Sequence, residues 1–350
     1  MPENVKLTQY SSGAGWACKI GPADLNEALS NIKKSFHNQK NNTSGFETFD
    51  DCAIYQLDND KIILQSLDFF TPIVDDPYTF GQIAAANSLS DIYAMGGNPL
   101  FSLNIVGFPS DELPISVLTD ILNGGQNIAE SAKIPILGGH TIKDKEPKYG
   151  MAVTGDVSKE NLIKNNSAKE GDVLILTKPL GIGIISTGIK KGLIDKITYN
   201  KVVDTMIHLN DDAKEAMNSS NPSSCTDVTG YGLLGHLLEM CSGSNLSAEI
   251  YYNNIPFIQS TEELALKNII PGGSKKNLSY VSDHIEFSES LLSYQQLMLA
   301  DAQTSGGLLI SIPEKEAPEF IEKLKEQGCL SHEIIGLITN KKDKSIYVKD

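Results

Sequence analysis

Thr79-Phe80-Gly81-Gln82-Ile83-Ala84-Ala85-Ala86-Asn87-Ser88-Leu89-Ser90-Asp91-Ile92-Tyr93-Ala94-Met95-Gly96-Gly97 reads as a helix over residues 79–95 with its own start and stop. Thr79 and Gln82 have capping-box spacing, and Gly96-Gly97 supplies the backbone freedom at which a helix ends. Around it lie short runs rich in β-branched or aromatic residues, at 52–57, 61–67, 101–108 and 151–157, which read as strands. Further helices are expected at 22–36 and 115–132. Strands with helices between them predict an α/β unit.

Residues 158–171 turn polar, with Asn165-Asn166-Ser167, and the domain boundary is expected there. A second alternating series follows. Strands are expected at 173–176, 306–312, 333–339 and 345–348, and helices at 233–241 and 318–327, with Pro318 suited to a first helical position. The reading is two α/β (α+β) domains of similar size, 1–157 and 170–350, and the 350-residue chain is long enough to give each a core.

Net charge is −15 at neutral pH, which argues against nucleic acid or an anionic membrane surface as partner. An anionic small substrate stays open, because bound metal inverts the local field. No run approaches the roughly 20 apolar residues of a membrane span, and residues 1–9 lack the apolar core of a secretory signal. Five scattered cysteines without a CxxC pair make poor disulfide or zinc material, so a reducing cytosol is the expected compartment.

The candidate chemistry is acidic. Asp50-Asp51 precedes a strand, Asp68 ends the next, and Asp91 lies one turn from Asn87 on the 79–95 helix. Asp227 stands in Thr226-Asp227-Val228-Thr229-Gly230, before an apolar helix. Converging carboxylates need a cation to offset their repulsion, and magnesium takes such hard oxygens together with substrate phosphates. Two glycine-containing loops, Gly138-Gly139-His140-Thr141 and Gln303-Thr304-Ser305-Gly306-Gly307, offer backbone N–H groups to an anion; each also fits an ordinary tight turn. Gly181-Ile182-Gly183 has Ser186 where a dinucleotide fingerprint needs a third glycine, and is discounted. The opening Gly13-Ala14-Gly15-Trp16-Ala17-Cys18-Lys19 suits a segment that moves over a site, with Lys19 able to reach phosphate.

These motifs, in this order along nearly the whole chain, resemble the selenophosphate synthetases (selenide, water dikinases), relatives of aminoimidazole ribonucleotide synthetase. The resemblance rests on Leu7-Thr8-Gln9-Tyr10, Gly13-Ala14-Gly15, Cys18-Lys19-Ile20, Asp68-Phe69-Phe70-Thr71-Pro72, the helix just quoted, Gly138-Gly139-His140-Thr141, Thr177-Lys178-Pro179-Leu180-Gly181, the Asp227 motif, Pro271-Gly272-Gly273 and the 303–307 loop. It implies a two-domain aminoimidazole ribonucleotide synthetase-like fold, with N-terminal domains pairing in a homodimer through a β-barrel-like interface and ATP near it. The implied reaction turns ATP, selenide and water into selenophosphate, AMP and orthophosphate, with a selenide-delivery protein as a further partner. By resemblance Asp51, Asp91 and Asp227 are magnesium ligands. Lys19, Thr48, Phe49, Asp50, Asp68, Asp91, Gly139, His140 and Thr141 are nucleotide contacts, and Lys19 is also catalytic.

One departure bears on activity. The family's chalcogen-handling cysteine or selenocysteine falls at residue 16, which here is Trp16, the chain's single tryptophan. An indole forms neither thiolate nor selenolate. Either a UGA codon for selenocysteine has been replaced or read as tryptophan, or the tryptophan is native and the chain is a nucleotide-binding, regulatory paralogue. Smaller departures are Phe49, Cys52 and Lys276.

Overall fold

The structure, a computed structural model, describes residues 5–11, 13, 15, 50–57 and 60–350. The expected helix at 22–36 lies outside the described residues.

The first unit is a five-stranded sheet: β1 (Ala53–Gln56), β2 (Lys61–Phe70), β3 (Asn98–Phe108), β4 (Ile136–Lys143) and β5 (Lys148–Ser158). Its order is β1-β2-β5-β3-β4, antiparallel except for the β3/β4 pair. Alternation decides its faces. In β2, Ile62, Leu64, Ser66 and Phe70 are buried beneath α1 (Pro77–Ala94) and α2 (Ile115–Ser131). Leu67 and Phe69 point the other way and are exposed, as are Leu103 of β3 and Leu137 and Ile142 of β4.

The decisive helix forms as expected, but its cap differs. Asp76, with Pro77 behind it, accepts from the Thr79 N–H at 2.8 Å, whereas Gln82 turns to Asn127 on α2. An aspartate one residue before a first-turn proline outcompetes the Thr79–Gln82 box. Gly96 (φ 73°) ends the helix as the glycine pair predicts.

The second unit holds β6 (Asp172–Leu176), α3 (Ile182–Lys190), α4 (Lys196–Ile207), α5 (Asp211–Asn218), β7 (Ser224–Asp227), α6 (Gly232–Ser244) and β8 (Ser247–Tyr251). It continues with α7 (Thr261–Leu266), α8 (Gly272–Val281), β9 (Ile285–Phe287), α9 (Ser293–Leu299), β10 (Leu308–Pro313), α10 (Ala317–Gln327), β11 (Glu333–Thr339) and β12 (Ile346–Lys349). The strands form one sheet in the order β7-β10-β6-β11-β8-β12-β9. Leu233 and Leu237 of α6 seal one face, and Phe320 and Leu324 of α10 with Met217 of α5 seal the other.

α1 packs against β7, α4 and α5, so the helix that carries Asp91 is also the seam between the units. A further strap crosses that seam. Leu7–Tyr10 makes a 3-10 turn with Leu7 buried, the Thr8 N–H donates to Asp75 Oδ1 at 3.1 Å, and Lys190 Nζ reaches Ser11 O at 3.3 Å. No described helix is long and apolar enough to cross a membrane.

Candidate active site

Three aspartates from three elements meet at the seam. Asp51 comes from the loop entering β1, Asp91 from the last turn of α1, and Asp227 from the end of β7; one carboxylate oxygen of each lies within 4.8 Å of the others. Short polar neighbours fix two of them. Thr226 Oγ1 donates to Asp51 Oδ1 at 2.8 Å, and Ser66 Oγ donates to Asp91 Oδ2. Asp51 Oδ2 is buried without a hydrogen-bond partner.

The electrostatics are those of an anion cluster taken out of water. Burial, then Asp227, pushes the Asp51 carboxyl well above the usual carboxylate range. Burial, then Asp68, does the same to Asp91, with Asp227 and Asp51 adding to it. Hard oxygen donors, mutual repulsion and an unpartnered buried lone pair are what a divalent cation satisfies. The residues present therefore fit magnesium.

Asp68 stands on the helix-covered face of β2, where Asn87 Nδ2 donates to its Oδ2 at 3.0 Å and Ser88 Oγ donates to its backbone carbonyl at 3.1 Å. The expected one-turn relation of Asn87 and Asp91 thus sets Asn87 on Asp68 and Asp91 in the cluster. Asp50 is half-buried beside Asp51.

Gly138-Gly139-His140-Thr141 is not the tight turn that its glycine pair suggests. It lies inside edge strand β4, at a register shift against β3, where a Cβ on Gly139 would stand 2.2 Å from Asn104 O. The glycines serve a bulge with close backbone approach, which a turn signal mimics. Gly139, His140 and Thr141 are all exposed. Gly139 pairs with Asn104, Asn104 with Met151 and Met151 with Asp68, so Gly139 and Asp68 share one row across the sheet. Three strand spacings separate them, roughly 14 Å.

Trp16, Cys18, Lys19, Thr48 and Phe49 lie outside the described residues. Gly15 is described: its N–H donates to Thr71 O at 3.1 Å, and Thr304 and Ile73 crowd its Cα. The sequence reading passed over Ser66, Thr226, Lys178 and Asn210 as individuals. Three of these stand next to or within quoted motifs, yet nothing in a lone serine, threonine or lysine signals burial beside a carboxylate.

A model of the AIR synthase related protein N-terminal domain matches residues 49–157, and the model of its C-terminal domain matches residues 169–349. A selenide, water dikinase of Carboxydothermus hydrogenoformans is 48% identical, over 98% of this chain and 99% of that protein. The chain belongs to the selenide, water dikinase family. Another family member, selenide, water dikinase 2 of Peptoclostridium acidaminophilum, is 47% identical over 99% of each chain. Among solved structures, thiamine-monophosphate kinase from Stenotrophomonas maltophilia shares the fold, with a TM-score of 0.64 at 16% identity over 95% of this chain and 96% of that one. The aminoimidazole ribonucleotide synthetase-like architecture expected of the family is the one observed.

Proposed function

We propose that this chain makes selenophosphate, AMP and orthophosphate from ATP, selenide and water, at the seam where Asp51, Asp91 and Asp227 meet. The observation that carries this reading is the convergence of carboxylates from both units within 4.8 Å, in a chain with selenide, water dikinase relatives at 46–48% identity. Asp51, Asp91 and Asp227 are the residues that would hold magnesium. Bound there, the ion neutralises charge on the ATP phosphates. Phosphoryl transfer otherwise needs mainly positioning and fixed charge. Asp50, Asp68, Gly139, His140 and Thr141, with Lys19, Thr48 and Phe49, are proposed to seat the nucleotide. Lys19 also offers a point charge to a phosphate.

The exposed Leu67, Phe69, Leu103, Leu137 and Ile142 support a homodimer formed through the open face of the first sheet, because a contiguous apolar face of this kind is otherwise left in water. The proposed compartment is a reducing cytosol, and a selenide-delivery protein is the proposed further partner. Among the described residues Cys52, Cys225, Cys241 and Cys329 are free thiols.

Residue 16 separates two versions of this reading. Trp16 favours an altered paralogue, while the retained aspartate cluster favours a synthetase whose chalcogen-handling position has been changed. Formation of selenophosphate and AMP from ATP and selenide decides between them. The expected result is little product from the Trp16 chain and restored product in Trp16→Cys, also when combined with Cys18→Ser. Robust synthesis by the unmodified chain would show that residue 16 is not the chalcogen carrier, and no gain in Trp16→Cys would point to the regulatory paralogue.

A further inference from the structure

Lys178, just past β6, is buried at the seam and belongs to none of the roles above. Its Nζ donates to His208 O at 2.6 Å and to Ser305 O at 2.9 Å. Two N–H bonds serve both carbonyls, so the amino group holds them whether charged or neutral. A methionine of similar length would fill the same space without the cost of burying an amine. The two carbonyls are what the amine adds.

Ser305 is the centre of a short relay. It sits at φ 52°, and its N–H donates to Asn87 Oδ1 at 2.9 Å. Asn87 passes the contact on, its Nδ2 donating to Asp68 Oδ2 at 3.0 Å. Asn210 Nδ2 bonds both Gly306 O and Ser90 Oγ at 2.9 Å, next to Asp91 in the chain. The same loop grips the other side of the cluster: the Gln303 N–H donates to Thr229 O at 2.9 Å, and the Val228 N–H donates to Gly307 O at 2.8 Å. Residues 303–307 therefore touch the helix that carries Asp91 and the loop that follows Asp227.

We propose that Lys178 is a positioning residue, pinning the Ser305 peptide so that α1, held through Asn87 and Asn210, and the loop after Asp227 keep Asp91 and Asp227 in register. The proposal rests on reading that cluster as a divalent-cation site. Lys178 touches neither metal nor substrate; it acts through residues 303–307.

The test is Mn2+ binding to the full-length chain, read by electron paramagnetic resonance, beside the thermal midpoint. The variants are Lys178→Met, Lys178→Gln, Asn87→Ala, the Lys178→Met/Asn87→Ala double and Asp91→Ala. Losing the relay weakens Mn2+ binding about tenfold in Lys178→Met, as expected when a group behind the ligands is removed. Lys178→Gln, which keeps an NH2 donor on a shorter side chain, falls between it and the parent chain. The double variant binds within about twofold of Asn87→Ala alone, because both changes break one chain of contacts. Unchanged Mn2+ affinity in soluble Lys178 variants, or losses that multiply in the double, overturns the relay; Lys178→Gln decides if Lys178→Met does not fold. Should the parent chain fail to bind Mn2+, or bind no better than Asp91→Ala, the metal reading falls and this proposal falls with it.

Discussion

Two regions proposed to serve one nucleotide are built in opposite ways. The carboxylates of Asp51, Asp91 and Asp227 close on one another inside a single chain, at the seam between the units, with Asp227 buried and the other two half-buried. Gly139, His140 and Thr141 stand exposed on edge strand β4, with Gly139 in the same row as Asp68 but three strands away. The first region gains its electrostatic force from burial, since removal from water is the largest cause lifting the Asp51 and Asp91 carboxyls. The second has no such enclosure within one chain. An exposed edge strand flanked by apolar side chains is material for a partner surface, and a second copy of the sheet supplies one in the proposed dimer.

The largest effect comes from breaking the closed region. Asp51→Ala, Asp91→Ala and Asp227→Ala each lower ATP turnover by about a thousandfold, because each removes a proposed ligand that no neighbour replaces. The metal-free protein, in contrast, keeps or gains thermal stability on losing one of three repelling groups. Product formation in a Trp16→Cys background, and thermal unfolding in the presence of chelator, measure the two sides. Near-normal turnover in all three variants removes the cluster from the chemistry.

The open region breaks differently. His140→Ala lowers turnover, and Leu137→Glu converts the dimer to monomer in sedimentation at micromolar concentration, since a charge cannot be buried there unpaired. Mixing sharpens the contrast. If β4 of one copy completes the site of the other, subunits of His140→Ala and Asp91→Ala exchanged together form some hybrid dimers with one intact site. Activity then returns to about a quarter of the parent value by random pairing. No recovery after verified exchange means that both regions serve the site of their own chain.

Gly15 ties the strap to both units and gives a smaller effect. Its φ is 51°, and a Cβ there would stand 2.6 Å from Thr304 Oγ1 and 2.8 Å from Ile73 Cδ1. Gly15→Ala must displace the chain immediately before residue 16. In a Trp16→Cys background that turns over, the expected loss is about tenfold or more in maximal rate. The thermal midpoint moves little, because Leu7 and Thr8 still anchor the strap. A shift in stability without a loss of rate would make Gly15 a packing residue only.

The Gly96-Gly97 stop made the helix at α1 and its end legible, and runs of β-branched and aromatic residues did the same for β2 and β5. Asp51, Asp91 and Asp227 were each visible as acidic residues near element ends. Their approach to within 4.8 Å depends on which side of α1 meets β7, and tertiary packing decides that. Gly138-Gly139 shows the opposite difficulty. A glycine pair after an apolar run signals a turn and a bulged strand equally well, and only the close approach to Asn104 distinguishes them. Lys178 gave no signal at all, since burial of a lysine is a property of its neighbours.

That lysine supplies the smallest and most local contrast between the closed and open regions. Burial lowers the Lys178 pKa to about 7, with Asp227, Cys329, Asp211 and Asp212 pulling it back up. In the unfolded chain a lysine titrates near its ordinary value of about 10.4. Between these two values the unfolded state binds one more proton, so stability rises with pH; below about 7 both states are protonated and the contribution is flat. His208, lowered to about 4, and Asp212, raised to about 6, titrate below that window; Cys329, raised to about 12, opposes the rise above its ordinary value of about 8.5 but does so in both chains, so the comparison of slopes isolates Lys178. Urea unfolding with chelator at pH 7.5 to 9.5, ~two units inside the window, then gives the parent chain a steeper rise than Lys178→Met, on the order of 1 kcal/mol per pH unit. Lys143 on the open β4 edge is the control: its amino group is largely in water beside Asp111, and Lys143→Met leaves the slope unchanged. Parallel curves for the parent chain and Lys178→Met would mean that the seam does not hold this lysine out of water, and the contrast between the two regions would then rest on the carboxylates alone.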